Sequence, residues 1–307
     1  MKNSILIGLV LVLFSCSKPD KLPPIDNTID LDGTTINDSS LLYPERYLLS
    51  AKIPTPNIQE KNTPIYMCVH GFSATTFEWL EFRDFVNQKG NAFTSLILLG
   101  GHGRDYADFK NASWMDWQQP ILTEYNKLVN LGYTKIYLLG SSTACPLILD
   151  LLNKKAFSSA FLKKIIFIDP IIVPSNKTLS LINAVGPSLS YTTTEMEVGE
   201  NGFWYKYRPY QALEELNTLT IRVRKSLEKG IETTIPIETY KSEKDGSADP
   251  ISAVLIEKGI KPLASGSIST TIVPSDLHVF TRLKGRNSYS SADLERQLNL
   301  FNKITNN

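Results

Sequence analysis

The feature that most constrains this chain is an alternation. From about residue 42 onward, short β-rich apolar runs take turns with segments whose apolar residues recur at helical spacing. Ile65–Val69 is such a run and ends at His70-Gly71. Thr76–Lys89 follows with Phe77, Leu80, Phe85 and Val86 on one face, and Gly90 as a stop. Phe93–Leu98 reads as a strand and leads into Gly100-Gly101-His102-Gly103. Trp117–Leu131 sets Ile121, Tyr125, Leu128 and Val129 together before Gly132. Lys135–Leu139, Lys164–Ile168, Ile235–Tyr240 and Thr270–Val273 read as further strands. Helices are expected after Ser142 through about Asn153, near Gln211–Leu227, and over Ala292–Ile304 with Leu294, Leu298 and Phe301 inward. Parallel strands need crossovers of a dozen or more residues, which these helices supply. The pattern predicts an α/β domain over residues 42–307, with a mostly parallel sheet flanked by helices on both faces. Such sheets carry their chemistry on loops at the carboxyl ends of strands. His70, His102, Ser142, Asp169, Asp245 and His278 all fall there.

One stretch breaks the alternation. Sixty-five residues separate Asp169 from Ile235, far more than one crossover requires. This segment, about 171–234, holds Tyr191, Phe203, Trp204, Tyr205, Tyr207 and Tyr210. Its position at the functional edge predicts a cap or lid over a pocket. An extra packing layer whose aromatics are core is the alternative.

The first fifteen residues read as an export signal. Ile5–Phe14 is an apolar run of ten residues, interrupted only by Gly8. At 1.5 Å per residue it reaches about 15 Å, half of the ~30 Å hydrocarbon core, so it fits a signal peptide better than a span. Leu13-Phe14-Ser15-Cys16 resembles a bacterial lipobox, with Phe14 standing where a small residue is usual. The resemblance implies lipidation of Cys16 as the mature N-terminus, and so a membrane anchor. Residues 16–41 are polar, with no periodic apolar pattern, and read as a disordered tether. Ser17-Lys18 has no Asp at the second position, so the expected location is the cell envelope, at the outer membrane rather than the inner.

Composition closes off other classes. With 32 basic and 31 acidic residues the net charge is +1, which gives nucleic acid no basic surface. Three cysteines, one of them assigned to the signal, leave too few for a disulfide framework or a cysteine zinc site. Nothing points to an obligate protein partner.

The sharpest motif is Leu138-Leu139-Gly140-Ser141-Ser142-Thr143-Ala144, an apolar strand running through Gly-x-Ser-x-Ala into a helix. A serine thrust out of a sheet on so tight a turn needs small neighbours two before and two after it. The motif resembles the nucleophile elbow of α/β-hydrolases, with Ala144 in place of the usual last Gly. Cys68-Val69-His70-Gly71-Phe72 resembles the same superfamily's His-Gly-hydrophobic turn, and Gly100-Gly101-His102-Gly103 the Gly-His-Gly loop of monoglyceride lipases and carboxylesterases. Trp114-Met115-Asp116-Trp117 resembles a helix start of that family. The resemblance spans roughly residues 60–290.

It implies an α/β-hydrolase fold and a serine hydrolase needing neither cofactor nor metal. Ser142 is then the nucleophile, with the N–H groups of Phe72 and Thr143 as oxyanion donors. His70, Gly71 and His102 shape the loops beside it. In this family the order along the chain is Ser, acid, His, and His278 is the one histidine after Ser142. The family's acid loop matches Asp245-Gly246-Ser247-Ala248-Asp249-Pro250, which picks Asp245. Asp169, Asp249 and Glu243 compete, Asp169 because it too ends a strand. Cys68 and Cys145 read as buried small hydrophobes, with a disulfide between them left open. The implied substrate is a small acyl ester of short or medium chain, or a monoacylglycerol-like one. An amidase, thioesterase or peptidase on the same residues, an inactive hydrolase-fold binding lipoprotein, and a glycan-binding envelope protein are the alternatives.

Overall fold

Ile65–Val69 (β1) is buried at every position, as a strand covered on both faces must be. Its side chains part by alternation. Met67 and Val69 join one core, Tyr66 and Cys68 the other. The computed structural model describes residues 30–31, 34–35, 39–175, 182 and 191–306. The expected signal peptide, Cys16 and most of the tether lie outside them.

Five more strands complete the main sheet: Phe93–Ile97 (β2), Ile136–Ser141 (β3), Leu162–Ile168 (β4), Ile237–Ser242 (β5) and Ile268–Val273 (β6). Their order is β6-β5-β4-β3-β1-β2, and every pairing is parallel. The connecting helices are Leu80–Lys89 (α1), Trp114–Asn130 (α2), Ala144–Asn153 (α3), Tyr210–Lys229 (α4), Ile251–Gly259 (α5) and Ser291–Thr305 (α6). Ile121 of α2, Leu147 of α3, Leu216 of α4 and Ile256 of α5 share the core of one sheet face. Phe82 and Val86 of α1 and Phe301 and Ile304 of α6 fill the other.

Several details differ from the sequence reading, among them the starts of β4 and β6, each two residues earlier than expected. Helix α2 starts at Trp114, three residues earlier than expected, because Ser113 and Asp116 form a reciprocal capping box. Strand β5 runs to Ser242, two residues later than expected, and Pro236, which has no N–H, sits just before its start. On α6 the inward face is Gln297, Leu300, Phe301 and Ile304, whereas Leu294 and Leu298 are 41% and 39% exposed. Both leucines lie on the rim of the stripe that Phe301 and Ile304 centre.

The long segment between β4 and β5 has two parts. Helix α4 is a layer of the main core, through Leu216, Leu219, Val223 and Leu227. Ahead of it, Tyr191–Thr193 pairs antiparallel with Tyr207–Pro209. The aromatics here serve packing: Tyr205 stacks on Phe109, and Phe203 on Phe77, with ring centroids 4.3 and 4.0 Å apart. Among the described residues no helix is long and apolar enough to cross a membrane.

Candidate active site

The turn from β3 into α3 is tight enough to leave its marks on the backbone. Ser142 has φ of +50°, a left-handed conformation that residues other than glycine adopt reluctantly. Its neighbours must be small. A Cβ on Gly140 would meet Ile148 Cδ1 at 2.6 Å and Ala144 Cβ at 3.3 Å, so a methyl at 144 fits only because 140 has none. A Cβ on Gly71 would lie 2.9 Å from Ser142 Cβ, so the β1 turn approaches the serine as closely as a backbone can.

Ser142, His278 and Asp245 come together from three strand ends. The Ser142 hydroxyl lies 2.9 Å from His278 Nε2, and His278 Nδ1–H donates to Asp245 Oδ2 at 2.7 Å. The other Asp245 oxygen accepts from the N–H groups of Ser247 and Ala248 at 2.8 and 3.1 Å. Burial alone would raise the Asp245 carboxyl. Hydrogen bonds and charge from His278 and Lys241 outweigh it and hold the group at about 2. Asp245 is therefore an anion wherever the protein is folded near neutral pH.

Phe72 and Thr143 flank the serine on the wall of a cavity of about 620 Å³, which Ser142 and His278 also line. Among the described residues, neither amide N–H donates to a protein acceptor. Two such donors beside a serine hydroxyl suit an oxygen that gains negative charge. Thr192–Met196, Trp204, Arg208 and Leu216 enclose the rest of the space.

The other expected residues are in supporting positions. His70 is fully buried; its Nδ1 faces Gly71 O at 2.8 Å and its Nε2 accepts from Leu99 N–H at 3.0 Å, so the ring ties the β1 turn to the end of β2. Burial, with His102 nearby, pushes its pKa well below the histidine norm. His102 is buried against Phe72, Phe109 and Trp117, and burial lowers it to about 4. Neither ring lines the cavity; both brace Phe72 and its turn. Cys68 and Cys145 are free, buried thiols. No group of three or more His, Cys, Asp or Glu among the described residues is arranged to hold a metal ion.

Solved structures share this architecture. A metagenome-derived lipolytic enzyme, of the LipS and LipT pair, superposes with a TM-score of 0.61 at 18% identity, over 79% of this chain and 95% of that one. A monoglyceride lipase of Saccharomyces cerevisiae gives 0.63 at 10% identity, over 82% and 88% of the two chains. A monoacylglycerol lipase of Paleococcus ferrophilus gives 0.60 at 12% identity, over 80% and 96%. The fold is that of the α/β-hydrolases. No protein-family model and no curated protein matches the sequence.

Three further buried charged residues surround the site: Asp169, which the sequence offers as a rival acid, and Glu78 and Lys241, which it does not single out. Glu78 accepts from Gly71 N–H at 2.9 Å and from the Ser141 hydroxyl, joining the β1 turn to the elbow. Burial pushes its carboxyl up, against the pull of Ser141 and Arg282. Asp169, the rival acid, ends β4 and is wholly buried. It accepts from Ser242 N–H at 2.6 Å, Ser242 Oγ at 3.1 Å and Phe280 N–H at 3.2 Å. Its oxygens hold backbone, including the loop that presents His278, and no bond joins it to the imidazole. Lys241 lies between Asp169 and Asp245. Only contacts between separate segments mark Glu78 and Lys241, and a single sequence does not display those.

Proposed function

We propose that this chain is a serine hydrolase that cleaves carboxylic esters through an acyl-enzyme. The observation that carries the reading is the unbroken line from Asp245 Oδ2 through His278 to Ser142 Oγ, at 2.7 and 2.9 Å, on a serine at positive φ. Ser142 Oγ attacks the carbonyl carbon while His278 Nε2 takes its proton. The carbonyl oxygen becomes an oxyanion, held by the N–H groups of Phe72 and Thr143. Collapse expels the alcohol, which receives the proton from His278. Water, activated by the same imidazole, then releases the acid. Asp245 holds the ring with Nδ1–H inward and stabilises the imidazolium. The α3 N-terminus adds its positive end behind the oxyanion.

The substrate class follows from the resemblance and from the neighbours, which are described as lipolytic enzymes and monoacylglycerol lipases. A short or medium acyl ester, or a monoacylglycerol-like one, suits a cavity of this size with apolar walls such as Ile171, Leu216 and Trp204. The sequence further supports an anchor: Cys16 lipidated and residues 16–41 tethering the enzyme to the cell envelope. Of the expected cap over about 171–234, the part from Tyr191 to Pro209, ahead of α4, suits that role, since it contributes to the cavity wall.

A fluorophosphonate tests the reading directly. Intact mass of the full chain should show one adduct on the wild type and none on Ser142→Ala, with both folded. A p-nitrophenyl butyrate assay should lose essentially all turnover in the same variant. An adduct on Ser142→Ala, or turnover near wild type, would remove Ser142 from the role.

A further inference from the structure

Lysine is among the residues least often buried, because its charge must leave water. Lys241 is nevertheless 0% exposed, at the end of β5. Its Nζ donates to Asp245 Oδ2 at 2.5 Å and to Asp169 Oδ1 at 3.2 Å. The acceptor matters more than the pairing. Asp245 Oδ2 is the same oxygen that accepts from His278 Nδ1 at 2.7 Å, while Oδ1 is occupied by two backbone N–H groups. One carboxylate oxygen thus serves an ammonium and an imidazole at once.

We propose that Lys241 is a positioning residue that acts through Asp245: its ammonium shares the oxygen that holds His278, and so sets the pH at which His278 turns into a base. The proposal rests on the hydrolase reading above. Its physics is a competition. A triad carboxylate left to itself stabilises the imidazolium with its whole charge. Here part of that charge is neutralised by a cation a few ångströms away, in surroundings of low dielectric. The protonated ring is then less favoured with the ammonium present than without it, so removing the ammonium should draw the acid limb of hydrolysis upward. Asp169 acts in the opposite sense, since its anion draws the ammonium towards itself.

The other charged and titratable groups around this cluster have their own partners or face water. From the loop after β6, Arg282 pairs with Glu200 at 2.7 Å and Arg286 with Glu197 at 3.6 Å. Arg286 also donates to the backbone carbonyl of His278 at 2.5 Å. Glu78, from the turn before α1, is engaged by Gly71 and Ser141. Cys145, on α3, is kept a neutral thiol by burial. Asp276, Glu243 and Lys244 are exposed. Among the described residues, Lys241 and His278 are the cationic side chains that touch Asp245.

The test compares pH profiles of the wild type, Lys241→Met, Asp169→Asn and the double variant, with p-nitrophenyl butyrate. In Lys241→Met the acid limb should move up by about one pH unit. In Asp169→Asn it should move down. The double variant restores the local charge of the wild type, and its limb should return to near the wild-type position. A residue that only packs the strand end would lower the plateau and leave the limb in place, and its loss would not be repaired by a second substitution. Lys241→Arg keeps the charge and should keep the limb.

The same four proteins are titrated by proton NMR through the His278 ring signal, assigned by its loss in His278→Gln. The midpoints should shift in the same order. This readout needs no turnover, so it separates the two claims. A wild type that hydrolyses nothing, with midpoints shifted as stated, fails the esterase reading and keeps the coupling. Coincident limbs and midpoints in all variants overturn the proposal. If Lys241→Met does not fold, Asp169→Asn and Lys241→Arg decide: a downward shift in the first with none in the second supports it, and no shift in the first overturns it.

Discussion

The two ends of the central sheet turn their chain in different ways. At the amino ends, where helices return to strands, glycine takes most of the left-handed positions: Gly90 after α1 at +68°, Gly132 after α2 at +89°, Gly230 after α4 at +93°. Glycine reaches this region freely and closes a helix at little cost. At the carboxyl ends, beside Gly101 and Gly103 in the loop after β2, four residues other than glycine occupy the same region: Ser73 at +59°, Ser142 at +50°, Asp169 at +46° and Val279 at +51°. Each carries about 1–2 kcal/mol that glycine would avoid. Each also holds a side chain or carbonyl that the turn puts to use. Ser142 meets His278, Asp169 binds the backbone of Ser242 and Phe280, Val279 buries its side chain beside the histidine, and the Ser73 carbonyl accepts from Tyr205 N–H at 2.9 Å. One end is shaped to close helices cheaply. The other is shaped to aim groups, and strain gathers where the chemistry is proposed.

The largest expected effect lies within the aimed end, between its two buried aspartates. Asp245→Asn should lower kcat on p-nitrophenyl butyrate by about 10⁴-fold, because an amide no longer fixes the imidazole with Nδ1–H inward. Asp169→Asn should cost far less, about tenfold, since Asp169 does not touch His278; its amide oxygen can keep only one of the two backbone N–H bonds that Oδ1 and Oδ2 accept. Measured with both variants folded, equal losses would mean that the two turns are not divided into one that aims and one that holds.

A smaller effect belongs to the closing end. Gly90→Ala adds a methyl that meets nothing within 4 Å, so its cost is the backbone conformation alone. Urea unfolding should show a loss of about 1 kcal/mol with an unchanged m-value, and kcat should match the wild type. A fall in kcat along with stability would dissolve the distinction between the two ends.

This division also explains what the sequence displays. Helix stops at Gly90 and Gly132 are local statements made by one residue type, and both are legible. The elbow is legible because its steric demand falls on Gly140 and Ala144, within two residues of Ser142. His278 stands out through scarcity, as one of three histidines and the one beyond the serine. Lys241 and Glu78 are silent for the opposite reason. In sequence Lys241 is a lysine just past a strand that reads as ending at Tyr240, ordinarily a solvated position. Only the adjacency of β5 to β4, and of both to the β6 loop, turns it inward between two carboxylates. Leu294 and Leu298 mislead because helical spacing names a stripe without naming its centre. Where α6 lies against α1 decides that Phe301 and Ile304 take the middle.

Two residues at the closing end stand outside its pattern, Ala264 at +49° and Lys155, and Lys155 has the longer side chain. After α3 the chain turns towards β4 at Lys155, with φ of +56° and an exposed side chain; its N–H donates to Leu152 O at 2.9 Å. Here a left-handed turn closes a helix, as at Gly90 and Gly132, yet the residue is not glycine and its side chain holds nothing buried. Lys155→Gly should therefore stabilise. The relieved backbone cost is about 1–2 kcal/mol, and the added entropy of the unfolded glycine takes back about 0.5–1 kcal/mol. A net gain below about 1 kcal/mol remains, near the lower limit of what urea midpoints resolve. Activity and the acid limb should not move. The same exchange at Val279, whose side chain is 3% exposed beside His278, should destabilise, because a packed side chain is lost along with the strain. Opposite signs at two positions with nearly equal φ would show that strain in this molecule is retained where a side chain uses it.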